Sequence, residues 1–266
     1  MKIFYYSLFF IIISYLVIFL FMFFFQRTFM YHPNVNSYNL TPIRFTFEKV
    51  KIPSENNITL ESWYSFKSNQ NKTLVFFHGN AGNLNNRIYK LNELDKLDLN
   101  FLIISWRGFS GNAGKPTEQG LYQDAASAIR WLENKNIKKT DIILYGESLG
   151  TGIALELAKK DIYAGVILES PYTSMVEMAK KFYPYLPVSI LLRDRYQSIK
   201  KIKMNKSPIL IMHGQMDTLV PFYMGEQLYA EASQPKQSYF PKFDNHMMQY
   251  TSELLTALKN FIGSLK

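Results

Sequence analysis

The stretch Asp141-Ile142-Ile143-Leu144-Tyr145-Gly146-Glu147-Ser148-Leu149-Gly150 decides the fold, because it joins a β-type run to a helical one through glycines. An apolar, β-branched segment stops at Gly146, and Thr151-Gly152-Ile153-Ala154-Leu155-Glu156-Leu157-Ala158 then shows Ala/Leu at helical spacing. The pattern predicts strand, tight turn and helix, with Ser148 at the apex of the turn. So sharp a turn leaves no room for a Cβ at Gly146 or Gly150. It lifts the Ser148 hydroxyl above the sheet edge, where the following helix directs its positive N-terminal end. GxSxG alone recurs by chance and a serine in it can be structural; set between a strand and a helix it reads as a nucleophile.

Outward from this turn, strand and helix alternate. Residues 45–52 and 58–64 alternate apolar with polar across a turn at 53–57, which predicts two antiparallel opening strands. Residues 73–77, Thr-Leu-Val-Phe-Phe, form a continuous apolar run, as expected of a strand covered on both faces. Helical spacing follows at 84–97, a strand at 101–105 and a helix at about 117–134. Beyond the Ser148 turn come strands at 165–169 and 208–212, a helix near 222–232, a short strand around 237–240 and a closing helix from about 248 to 265. Residues 171–206 break the alternation with Pro171, Pro184 and Pro187 and many aromatics, and read as an inserted cap. The fold class is α/β: a doubly wound, mostly parallel sheet with a short helical cap. At 266 residues one such domain, at 45–266, accounts for the chain after its N-terminal segment.

That segment is apolar. Residues 3–25 carry no charge and are almost wholly Phe, Ile, Leu, Val and Tyr. A helix of this length crosses a bilayer core of about 30 Å, and the run is too long for the apolar part of a cleavable signal. Residues 1–27 therefore read as a single transmembrane anchor and 28–44, rich in Asn and Pro, as a linker. Lys2 and Arg27 flank the span almost evenly, and the reading sets the domain on the extracytoplasmic side. The net charge is +9, thickening between Lys180 and Lys206. Such a run is ordinarily a solvated face; beside a membrane it also suits contact with anionic lipid. No nucleic-acid motif accompanies it. The chain has no cysteine, which excludes disulfides and a thiol nucleophile.

A serine hydroxyl needs a base to take its proton and a carboxylate to orient that base. Of four histidines, His32 falls in the linker, and His78 and His213 precede glycine at the ends of buried strands. His246, in the loop before the last helix, is free to reach the sheet edge and is read as the base. With the serine first in chain order, the acid falls between 148 and 246. Asp217 follows the 208–212 strand on the edge that carries Ser148. Asp244 lies too close in sequence to His246, Asp194 belongs to the cap, and Glu169 stands in reserve. The oxyanion needs two fixed donors; the backbone N–H groups of Leu149 and of Asn80, in His78-Gly79-Asn80, are assigned to it.

Phe77-His78-Gly79-Asn80-Ala81-Gly82-Asn83, Trp106-Arg107-Gly108-Phe109-Ser110-Gly111, Gly146-Glu147-Ser148-Leu149-Gly150, His213-Gly214 with Asp217, and His246 together resemble the α/β-hydrolase superfamily, and more narrowly its membrane-anchored bud-emergence-type branch. The resemblance runs from about residue 45 to the C-terminus. It implies a serine hydrolase with Ser148, Asp217 and His246 as triad, no metal and no organic cofactor. Relatives include esterases and serine aminopeptidases; palmitoylated cousins that deacylate proteins carry an N-terminal cysteine cluster, which is absent here. The expected activity is hydrolysis of a carboxyl ester or thioester of a small or lipid-like acyl substrate; Tyr172, Met175, Met178, Phe182, Tyr183, Tyr185, Leu186, Ile190 and Leu191 of the cap form either an apolar acyl site or, equally, closure of the core. Amide hydrolysis on the same triad, and a tethered scaffold without turnover, are the alternatives.

Overall fold

β3 (Thr73–Phe77) lies between β4 (Asn100–Ile104) and β5 (Ile142–Glu147), parallel to both, and every residue of the three strands is buried. This is why their sequences are apolar without alternation. The computed structural model describes residues 1–33, 41–68 and 72–265. Within it, β1 (Glu48–Pro53) and β2 (Thr59–Ser65) form the predicted antiparallel pair, and β2 joins β4 antiparallel. β6 (Gly165–Glu169), β7 (Ile209–Met212) and β8 (Lys236–Tyr239) extend the other side in parallel. The order across the eight-stranded sheet is β1-β2-β4-β3-β5-β6-β7-β8.

Register sets the functional edge. Phe77 pairs with Gly146, Gly146 with Leu168, and Glu169 with Met212. The loops after β3, β5, β6 and β7 therefore leave the sheet at one level, where ligands of open α/β sheets bind.

Helices cover both faces. α2 (Ile88–Leu94) and α9 (Ser252–Gly263) bury Leu91, Leu94, Leu254, Leu258 and Phe261 against one face. α3 (Glu118–Glu133) and α4 (Leu149–Ala158) pack on the other with Leu121, Ala125, Ile153 and Ala154. Thr117 caps α3 by accepting from the N–H of Gly120, and Thr251 caps α9 through Leu254, so the closing helix begins later than its apolar spacing implies. The cap consists of α5 (Met175–Phe182), α6 (Val188–Leu191) and α7 (Ser198–Ile202), and α8 (Phe222–Glu231) follows β7. Its basic run is not wholly a solvated face: Lys201 is buried and pairs with Glu156 at 2.9 Å.

The N-terminal apolar segment is a helix, α1 (Lys2–Met30), whose side chains are nearly all exposed. Its last turns are docked on the cap. The buried Gln26 amide donates to the carbonyl of Leu191 at 3.1 Å and accepts from the N–H of Arg193 at 2.7 Å. Arg27 forms a two-bonded pair with Asp194 at 2.8 and 2.9 Å. Tyr31 donates to Asp194 at 3.1 Å and meets the Tyr196 hydroxyl at 2.8 Å. Part of the segment read as a linker is thus packed: Tyr31 is 3% exposed, and His32–Pro33 pairs in parallel with Ala81–Gly82 beside the loop after β3. Residues 34–40 of that segment lie outside the described residues.

Candidate active site

Ser148 sits between β5 and α4 with φ +50° and ψ −113°, a conformation a non-glycine residue holds only when its surroundings enforce it. Those surroundings require the two flanking glycines. A Cβ on Gly146 would come within 2.6 Å of the Gly150 carbonyl oxygen, and one on Gly150 within 1.9 Å of the Phe77 carbonyl oxygen. The Ser148 N–H is held by the Glu169 carbonyl at 2.9 Å.

The hydroxyl of Ser148 reaches Nε2 of His246 at 3.1 Å, and Nδ1 of His246 donates to Oδ2 of Asp217 at 2.8 Å. Three side chains separated by up to 98 positions thereby form one continuous hydrogen-bonded line. Asp217 also accepts from the N–H groups of Leu219 and Val220, both at 2.8 Å, and from Nε2 of His213 at 3.1 Å. Burial opposes its ionisation, but hydrogen bonds from His213 and His246 outweigh that, and the carboxyl is held well below the usual carboxylate range. A strand-end histidine before glycine ordinarily packs or hydrogen-bonds, and the His213 ring does so here as a second support for the acid. Asp194 lies on the cap against Arg27, and Glu169 belongs to a buried cluster described next, so neither orients His246.

Beneath the Ser148 turn lies a charged cluster that sequence reasoning missed. Lys90, on α2, is wholly buried and bonds Glu147 at 2.6 Å and Glu169 at 2.5 Å. Arg87 pairs with Glu147 at 2.9 Å, and Tyr145 and Tyr250 donate to Glu169 at 2.6 and 2.9 Å. Two cations thus meet two carboxylates. Burial alone would lift Glu147, yet Arg87 and Lys90 outweigh it and hold its carboxyl far below the ordinary value; for Lys90 burial is likewise overcome by Glu147 and Glu169, which raise it. The signal in the sequence is Glu147 and Glu169, two carboxylates at the ends of otherwise apolar strands.

The loop after β3 approaches from the other side. The Gly79 N–H is engaged by Glu147 at 3.2 Å, and the Asn80 side chain donates to the Met30 carbonyl at 2.8 Å. Asn80 and Leu149 both line the space beside Ser148. His78 stays out of the chemistry: burial, and after it the Arg87 charge, pull its imidazole down to about 3, and Nδ1 donates to the Gly79 carbonyl at 2.8 Å.

Ser148 opens on a cavity of about 410 Å3. Met175, Met178, Phe182, Leu186 and Leu191 of the cap region line it, whereas Tyr185 and Ile190, read from sequence as acyl-site candidates, are 89% and 78% exposed outside it.

A doubly wound sheet with a serine on a strand-to-helix turn, in line with an imidazole and a carboxylate, defines a hydrolase scaffold. The comparisons agree. The profile of the alpha/beta hydrolase fold matches residues 72–188. Protein bem46 of Schizosaccharomyces pombe is 32% identical over 243 residues, 84% of this chain and 80% of that protein. Lysophosphatidylserine lipase ABHD12 of Danio rerio is 31% identical over 210 residues, 71% of this chain and 53% of that protein. The Pyrococcus furiosus esterase Pf2001 shares the fold, with a TM-score of 0.72 over 88% of this chain and 99% of that one at 19% identity. The chain belongs to the α/β-hydrolase superfamily, in its bud-emergence-type branch, and is a hydrolase.

Proposed function

We propose that this hydrolase cleaves a carboxyl ester or thioester of a lipid-like acyl substrate through an acyl-Ser148 intermediate. The observation that carries the reading is the unbroken line Ser148, His246, Asp217 at 3.1 and 2.8 Å, opening on an apolar cavity. Ser148 Oγ attacks the acyl carbon while His246 Nε2 takes its proton and returns it to the leaving group; Asp217, held ionised, fixes the imidazole and balances its charge. Leu149, at the N-terminus of α4, and Asn80 offer their N–H groups to the oxyanion; the Gly79 N–H, one residue earlier, is already taken by Glu147. Water, activated by His246, then releases the acid. The lipase and esterase names among the relatives support ester cleavage, and the intact line argues against a scaffold without turnover.

α1 serves as a single-pass anchor in this reading, being 29 residues long and apolar, with the domain on the extracytoplasmic side. A fluorophosphonate probe is expected to label the full-length protein in detergent. Ser148→Ala should abolish labelling and lower kcat/KM on an acyl ester by about 10^4-fold or more. Labelling that survives the substitution removes Ser148 from the role, and an impermeant probe on intact cells reads the side of the membrane.

A further inference from the structure

The cavity beside Ser148 is not enclosed by the hydrolase domain alone. Its wall includes Met22, Gln26, Phe29 and Met30 of α1, together with Met175 and Met178 of the cap. From Met30, whose carbonyl is bonded by Asn80, to Met22 the helix advances eight residues, about 12 Å at 1.5 Å each. The cavity therefore runs from the reacting hydroxyl along the helix, lined by soft methionine side chains that accommodate a flexible chain. Its volume falls near the lower end for ligand pockets, which suits one acyl chain.

This wall is held in place. The Gln26 amide bonds to Leu191 and Arg193, the Arg27–Asp194 pair and the Tyr31–Tyr196 contact fasten α1 to the cap, and Gln26 and Asp194 are both buried. A mere tether needs no such latch. Farther out, Tyr15 donates to the Tyr185 carbonyl at 3.1 Å, so the cap tip, where Tyr185 and Ile190 are exposed, lies beside the apolar half of the helix. The apolar flank of α1 and the cap tip make one surface suited to a bilayer.

Building on the ester-hydrolase reading, we infer that the C-terminal turns of α1 are a substrate-binding element: they form one wall of a site for the single acyl chain of a membrane-resident monoacyl ester, and Met22 sets the chain length the site accepts. Phe29 and Met30 face the part of the chain near the ester, and Met22 its far end. The leaving group stays towards Ser148 and His246.

The test uses the full-length protein in detergent micelles and a series of p-nitrophenyl esters from short to long acyl chains. Met22→Trp closes the far end, and the ratio of long-chain to short-chain kcat/KM should fall by roughly tenfold or more, since each buried methylene is worth about fourfold. Met22→Ala should move the preference towards longer chains, and it decides the matter if the tryptophan variant has no cooperative melt. Ratios unchanged in folded variants overturn the α1 wall while leaving the hydrolase intact. Failure of fluorophosphonate to label the wild-type protein in the same preparation overturns the serine-hydrolase reading itself.

Discussion

Glu147 and Ser148 are neighbours in the chain, yet their side chains serve two different regions. The Ser148 hydroxyl opens on the cavity and meets His246, whereas the Glu147 carboxylate turns under the sheet edge to Lys90 and Arg87, 3% exposed. Glu169 and Ser170 repeat the division one strand over: Glu169 joins the buried cluster, and Ser170 donates to the His246 carbonyl at 2.9 Å. In the proposed reaction the first region exchanges protons with a substrate. The other sits where no substrate reaches and ties α2, β5 and β6 together under the reacting groups. The first is built for chemistry and the second for position, and substitutions should separate them.

The largest expected effect is on rate. Asp217→Asn keeps the shape of the acid but presents an amide that can donate to Nδ1 of His246, so that Nε2 carries the hydrogen and no longer accepts from Ser148. A loss of about 10^4-fold in kcat, equivalent to about 5.5 kcal/mol, should follow, with a modest fall in the thermal melt because the new NH2 cannot accept from His213. A drop in melting temperature in place of the rate loss would make Asp217 a member of the structural region.

Lys90→Met should do the opposite. It strips a cation from two buried carboxylates, and breaking such a cluster costs about 3–5 kcal/mol, which for a chain of this size lowers Tm by about 10 °C. The pH dependence follows from the shifts. Glu147 is depressed in the folded protein, so its contribution is present above the unfolded value of about 4.3 and is lost as pH falls towards the depressed value. Lys90 is raised, so its contribution is present below about 10.4 and is lost as pH rises through the folded value. In Lys90→Met, Glu147 loses a cation that opposes its burial, so its carboxyl rises and takes up a proton at higher pH than in the wild type. The stability difference between wild type and variant should therefore shrink as pH falls from neutrality towards about pH 4, and again as pH rises above about 10. Thermal melts across that range check it, and a difference that grows on acidification would contradict the pairing.

How far each region was legible in the sequence follows the same division. The turn at Ser148 announces itself because steric demands fix Gly146 and Gly150 locally, and the line through His246 and Asp217 could be read from loop position and chain order. Strands β1 to β7 of the eight-stranded sheet were likewise visible as apolar or alternating runs. Lys90, Glu147 and Glu169 come together across 57 and 79 positions with no spacing rule, and a lysine on a predicted helix ordinarily means solvent. Tyr31 looked like linker because its neighbours are Asn and Pro; what buries it is Asp194 and Tyr196, more than 160 residues away. The second histidine on Asp217 was in plain sight at His213, but a histidine before glycine at a strand end carries no sign of which carboxylate it will meet.

Ser170 lies on the seam between the two regions and gives the smallest expected effect. Its hydroxyl holds the carbonyl of His246, and its neighbour Glu169 is anchored by Lys90, so it links the fixed cluster to the loop that carries the base. Removing the hydroxyl costs one neutral hydrogen bond, about 1 kcal/mol, because the partner carbonyl belongs to a half-buried loop that water can reach. The His246 ring keeps its bond to Asp217. Ser170→Ala should therefore lower kcat by no more than about fivefold, leave KM nearly unchanged and shift the melt only slightly. A loss approaching that of Asp217→Asn would mean that the buried cluster controls the base through Ser170, and the division between a chemical and a positional region would fail at that residue.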